Sequence, residues 1–187
     1  MLALFRKTWR FLYENSLSAV FVVVVLAAVH LWQTKDFHPT GITESLQSAS
    51  FVFLESGQEP RPVRIVDLLA DLQSQNKGRP VAIYLWAEWC AICKLQESSV
   101  QSLQKDQLLI SVAVQSGGPE KVARVLKDRE LALPTVVDPS GRWLGALGLR
   151  AVPSFMVTNA NDELSWVTVG YTTEIGMRLR LWLAKVI

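Results

Sequence analysis

The chain reads as an α/β fold: a mixed sheet with helices on both faces, preceded by one apolar N-terminal helix. Three features of the 187 residues carry that reading. Strand-like and helix-like runs alternate through the middle of the chain, which suits parallel pairing. Two strand-like runs near the end face each other across a polar turn and precede a last helix. An almost wholly apolar run, Leu17 to Trp32, stands ahead of everything else.

Ile65 to Gln75 is expected to be helical, with Ile65, Leu68, Leu69 and Leu72 on one face. Gly78-Arg79-Pro80 breaks it, and Val81 to Trp86 follows as a buried strand. A helix is expected from about Cys93 to Lys105, then a strand from Leu108 to Val114. Gln115-Ser116-Gly117-Gly118-Pro119 is a turn, and Pro119 suits the first turn of a helix reaching about Arg129. Thr135 to Val137 forms a short strand before the turn Asp138-Pro139-Ser140-Gly141, and Trp143 to Leu147 a small helix. Ser154–Thr158 and Ser165–Gly170 pair as a hairpin around Asn159 to Glu163. The last helix spans about Thr173 to Lys185, and its expected core stripe is Ile175, Leu179, Trp182, Leu183 and Val186.

Four segments follow from this pass. Residues 1–16 form a cytoplasmic N-terminus, 17–33 a transmembrane anchor, 34–60 a tether with irregular structure, and 61–187 a single domain. Ser50 to Leu54 reads as a short edge strand inside the tether. No charge falls between Glu14 and Lys35, a stretch of about the length that spans hydrocarbon. Arg6, Lys7 and Arg10 precede it, which leaves the N-terminus inside and exports the rest. Ala28-Val29-His30 is a poor cleavage site, so an uncleaved anchor is favoured over a signal peptide. The net charge of +2 and the absence of a basic run argue against nucleic acid.

The chain has only two cysteines, Cys90 and Cys93, in Trp86-Ala87-Glu88-Trp89-Cys90-Ala91-Ile92-Cys93-Lys94. The pair sits where a strand gives way to a helix, a placement that reads as a redox dithiol. The first sulfur then lies at a helix N-terminus, among free N–H groups and the positive end of the dipole. A thiolate is stabilised there, and the thiolate attacks disulfides. A structural zinc site would need further ligands, and the two histidines, His30 and His38, belong to the N-terminal segment. No metal and no cofactor beyond the sulfurs is expected.

Trp-Ala-x-Trp-Cys-x-x-Cys-Lys resembles the thioredoxin active site. The wider chain resembles the membrane-anchored thioredoxin-like branch, which holds the cytochrome-c-maturation thiol oxidoreductases and the suppressor-of-copper-sensitivity D proteins. The second group is nearer, through Ser111 to Gly117, Asp138 to Gly141, and Gly170-Tyr171-Thr172-Thr173 leading into Arg178 to Leu183. The resemblance implies a thioredoxin-like fold with a helical insertion near Gly118 to Arg129. It implies a periplasmic thiol-disulfide oxidoreductase on a bacterial inner membrane. Its partners would be protein thiols or disulfides and a membrane electron donor of the disulfide-reductase type.

It also implies that Ala151-Val152-Pro153-Ser154-Phe155 is the loop facing the dithiol, with Val152-Pro153 cis. Trp89, Val152 and Pro153 become the candidate substrate-contacting residues beside catalytic Cys90 and Cys93. Two departures stand out. Thioredoxins carry a buried aspartate where this chain has Tyr84, and several relatives place a glutamate where it has Gln96, with Glu97 next. Glu88 is an alternative proton acceptor, although a solvated rim charge is the simpler reading. No cation lies between the cysteines, so extreme thiolate stabilisation is not expected. A reductant is favoured. The competing functions are reduction of apocytochrome, Cu(I) carriage between the two sulfurs, and, more weakly, peroxide reduction.

Overall fold

The computed structural model describes residues 20–21, 24–25, 44–75, 79–159 and 164–186. The chain divides into two compact units, Met1–Lys35 and Asp36–Ile187. In the first, Val20, Phe21, Val24 and Val25 are helical and exposed. The expected cytoplasmic segment, most of the apolar run, His30 and His38 lie outside the described residues. Among the described residues, no helix is long and apolar enough to cross a membrane.

The second unit is built on one seven-stranded sheet in the order β2-β1-β5-β4-β3-β6-β7. The strands are β1 (Ser50–Leu54), β2 (Arg61–Arg64), β3 (Ala82–Trp86), β4 (Leu109–Val114), β5 (Thr135–Asp138), β6 (Ser154–Thr158) and β7 (Leu164–Val169). Helices α1 (Glu44–Gln47), α2 (Ile65–Gln75), α3 (Ala91–Gln104), α4 (Pro119–Asp128), α5 (Arg142–Ala146) and α6 (Glu174–Val186) connect and flank them. The three central strands β3, β4 and β5 run parallel, and every other pairing is antiparallel. All five residues of β3 are buried. Successive strand residues point to opposite faces, so both faces of the sheet are covered, as in the centre of an α/β fold. The expected mixed-sheet architecture is therefore the observed one.

The strand pattern Ser50–Leu54 differs from its expected edge position. β1 pairs with β2 on one side and with β5 on the other, so it is an interior strand. Phe51 and Phe53 point into the core, where Phe51 meets Trp143 at 6.4 Å between ring centroids. The edge is β2, whose Arg61-Pro62-Val63-Arg64 carries the proline and charges that blunt an open edge.

Asp138 holds the turn after β5. Its carboxylate accepts from the Arg142 N–H at 3.1 Å and the Trp143 N–H at 2.9 Å, capping α5 and seating buried Trp143. Gly141 sits at φ 73°, where a Cβ would come within 2.9 Å of the Gln115 side chain.

The last helix corrects a second expectation. α6 buries Met177, Leu181 and Ala184, whereas Ile175, Leu179 and Trp182 are exposed. The helix has apolar residues on two sides. The larger side chains drew the sequence reading to one face, and the sheet accepted the more compact set on the other. The turn between β6 and β7 lies mostly outside the described residues.

Candidate active site

β3 brings the chain to the dithiol. After Trp86 the Cys90 N–H closes a turn onto the Ala87 carbonyl at 3.1 Å, and α3 begins at Ala91. This start is two residues earlier than expected, because Cys90 is itself the cap. Its backbone is extended, at φ −82° and ψ 106°, and its Sγ accepts the Cys93 N–H at 3.1 Å. The sulfur thus occupies the position of a capping oxygen, against the positive end of the helix. A disulfide joins Cys90 to Cys93, with Cα atoms 5.2 Å apart. Cys90 retains 6% exposure and Cys93 1%.

The two candidate contact regions flank this sulfur. The Val152 carbonyl lies 3.7 Å from Cys90 Sγ, and the Val152–Pro153 peptide is cis, as expected. In the disulfide state Sγ has no proton to donate, so the approach is a contact; a reduced thiol could donate across it. The loop is held from behind by the Gly170 N–H on the Pro153 carbonyl at 2.7 Å and by Ser154 Oγ on the Ala151 carbonyl at 2.7 Å. Trp89 is 63% exposed, with its Nε1 donating to the Gln115 carbonyl at 3.2 Å.

Several neighbours of the dithiol were not legible as such in the sequence. Ser116 Oγ accepts the Glu88 N–H at 2.9 Å. Arg129 donates through Nη2 to the Glu88 carbonyl at 2.9 Å and through Nη1 to Glu97 Oε1 at 2.6 Å. Arg129 therefore ties the segment just before Cys90 to the helix just after Cys93. Glu88 is ion-paired with Lys121, which agrees with a structural rim charge. These partners come from the β4–α4 turn and from α4 and its C-cap, distant in sequence, and no spacing rule reaches that far.

Tyr84 replaces the thioredoxin aspartate without its chemistry. It is buried, and its hydroxyl donates to the Cys93 carbonyl at 3.3 Å. Burial first, then the Glu97 charge, hold its hydroxyl well above the ordinary tyrosine value, partly offset by Arg129. It stays protonated at neutral pH and takes no proton from Cys93. Gln96 is also buried, and its Oε1 accepts the Thr172 N–H at 3.0 Å, linking α3 to the start of α6. Among the described residues no group of three or more His, Cys, Asp or Glu is arranged to hold a metal ion.

Residues 67–167 match the AhpC/TSA family. A "Thioredoxin-like protein" of Haemophilus influenzae is 28% identical over 115 residues, which is 61% of this chain and 68% of that one. The "Thiol-disulfide oxidoreductase ResA" of Halalkalibacterium halodurans is 26% identical over 117 residues, covering 57% of this chain and 66% of that one. The chain thus spans about two thirds of each relative's length. Among solved structures, the exposed lipoprotein thioredoxin Etrx1 of Streptococcus pneumoniae superposes with a TM-score of 0.57 at 21% identity, over 72% of this chain and 99% of that one. That likeness establishes the fold. With a Cys-x-x-Cys pair capping a helix after a central strand, and with relatives named for the same chemistry, the chain belongs to the AhpC/TSA family, as a thiol-disulfide oxidoreductase of thioredoxin-like fold.

Proposed function

We propose that the protein is a membrane-anchored periplasmic reductant of protein disulfides, of the suppressor-of-copper-sensitivity D kind. Residues 17–33 are its anchor, 1–16 remain in the cytoplasm, and the domain that follows works outside the inner membrane. The observation that carries the chemical part is the Cys90 sulfur: it caps the first turn of α3 and has the Val152 carbonyl beside it.

In the reduced protein, the Cys90 thiolate attacks one sulfur of a substrate disulfide. A mixed disulfide forms, and the other substrate sulfur leaves as a thiolate that takes a proton. Cys93, deprotonated, then attacks the Cys90 sulfur. The Cys90–Cys93 disulfide forms, the second substrate thiol is released, and two electrons have passed to the substrate. Trp89 and the Val152-Pro153 edge hold the substrate backbone. A membrane donor of the disulfide-reductase type restores the dithiol, and attachment to the same membrane raises the effective concentration of the pair. Ala91-Ile92 adds no cation between the sulfurs, which favours the reducing direction over a strong oxidant.

The test is a trapping experiment in cells. Cys93→Ala is expected to accumulate mixed disulfides on Cys90, and Cys90→Ala is not. Equal trapping by both variants overturns the assignment of roles. A periplasm-dependent reporter fused after Ile187 is expected to be active, and an inactive reporter overturns the topology.

A further inference from the structure

The outward face of α6 is apolar, and nothing described packs on it. Ile175, Leu179 and Trp182 are 80%, 52% and 59% exposed. Their spacing of four and three places them on one stripe, and at 3.6 residues per turn that stripe lies opposite Met177, Leu181 and Ala184. Exposed Tyr171 stands just ahead of the helix. The core does not use this stripe, and an exposed apolar patch of this kind marks an interaction site.

Its surroundings are basic. α6 carries Arg178, Arg180 and Lys185 against a single acid, Glu174. Arg178 is bound to Asp106 at 2.8 Å and Glu174 at 2.8 Å. Arg180 reaches the Gly176 carbonyl at 2.8 Å, and Lys185 is exposed. The stripe thus combines tryptophan, isoleucine and leucine with a net positive flank, the pattern of a helix lying in a membrane interface.

We infer that α6 rests on the surface of an anionic phospholipid bilayer, with Ile175, Leu179 and Trp182 in the headgroup–acyl boundary. Charge favours this occupant over a second copy of the chain. Antiparallel packing of two α6 stripes centred on Leu179 sets Arg178 opposite Arg180, whereas anionic headgroups complement both flanks. The inference rests on the membrane attachment proposed above to keep a bilayer within reach. Residues 33–43 separate the apolar run from α1, and eleven residues extend at most about 40 Å. Docking has a consequence for the reaction. Thr172, at the start of the stripe, is held by Gln96, which follows Cys93 by three residues. Seating α6 therefore brings the dithiol end of α3 towards the membrane, where a membrane-embedded partner presents its sulfurs.

The experiment uses the full chain reconstituted in vesicles of phosphatidylcholine and phosphatidylglycerol, with Leu179 replaced by p-benzoylphenylalanine. Exposed Lys127 on α4 serves as the control position. Irradiation is expected to yield lipid adducts at position 179 at least about tenfold above position 127, with a fall of similar size in pure phosphatidylcholine. Chain-to-chain adducts at 179 overturn the inference in favour of an interface between copies. Absence of lipid adducts while the chain resists carbonate extraction overturns it and leaves the anchor standing. Absence of adducts from an extractable chain overturns both. Lipid adducts from an extractable chain remove the anchor and retain the docked face.

Discussion

The two long helices α3 and α6 lie side by side and make opposite use of their apolar residues. In α3, Cys93, Val100 and Leu103 are buried, and the exposed apolar residues Ile92 and Leu95 cluster at its dithiol end. In α6 the larger apolar residues face outward along the helix, and a smaller set, Met177, Leu181 and Ala184, holds it to the domain. The helices are joined by Gln96 to Thr172, by Ser102 to Glu174 at 3.0 Å, and by Arg178 to Asp106. α3 presents chemistry at one end, and α6 presents a surface along its length. A hydrophobic stripe is therefore not in itself a core stripe; the competing face of the same helix has to be weighed against it.

The sharpest way to break this division of roles is at the chemistry. Cys90→Ala is expected to reduce the turnover of a small soluble disulfide to the uncatalysed background. The triple variant Ile175→Ser, Leu179→Ser, Trp182→Ser is expected to keep full turnover in the same assay. If the triple variant also loses it, α6 acts on the dithiol itself and the contrast fails.

Packing offers the next test. Leu181→Ala, at an inward site, is expected to cost about 2–5 kcal/mol in urea unfolding of the oxidised protein, as deletion of buried side-chain atoms does. Leu179→Ser, at an outward site two residues away, is expected to change stability by no more than about 0.5 kcal/mol. Equal costs would return Leu179 to the core.

The junction between the helices carries less. Gln96→Leu leaves the buried Thr172 N–H without its acceptor, and a loss of about 1–3 kcal/mol is expected from the same unfolding measurement. An unchanged stability would show that the two helices are held by packing alone.

The smallest neutral-pH effect belongs to Tyr84→Phe, about 1 kcal/mol for one hydrogen bond. Its pH dependence is more informative. The folded-state pKa of Tyr84 is raised, so its contribution is complete below the model value of 10.0 and is lost as pH rises from there towards the folded value. Stability is expected to fall above that pH by up to about 1.4 kcal/mol per unit, and Tyr84→Phe is expected to remove that share of the fall. A wild-type alkaline limb identical to that of the variant would place the tyrosine in water.

What the sequence by itself determined was local. The Cys-x-x-Cys pair between Val81–Trp86 and a helix, the alternation of strands and helices, the turn at Asp138 to Gly141 and the loop at Val152-Pro153 all follow from residue spacing. Such spacing works because each of these features is decided within a few residues, by periodicity, capping or turn geometry. Only the tertiary structure decided the rest. Ser50–Leu54 became an interior strand because β5, more than eighty residues on, offered it a second hydrogen-bonding edge. Arg129 joined Glu88 to Glu97 because α4 folds back over the dithiol loop. α6 buried Met177 and Leu181 rather than Leu179 and Trp182. Both stripes satisfy the helical period, and the shape of the surface beneath, which no local pattern encodes, chose between them.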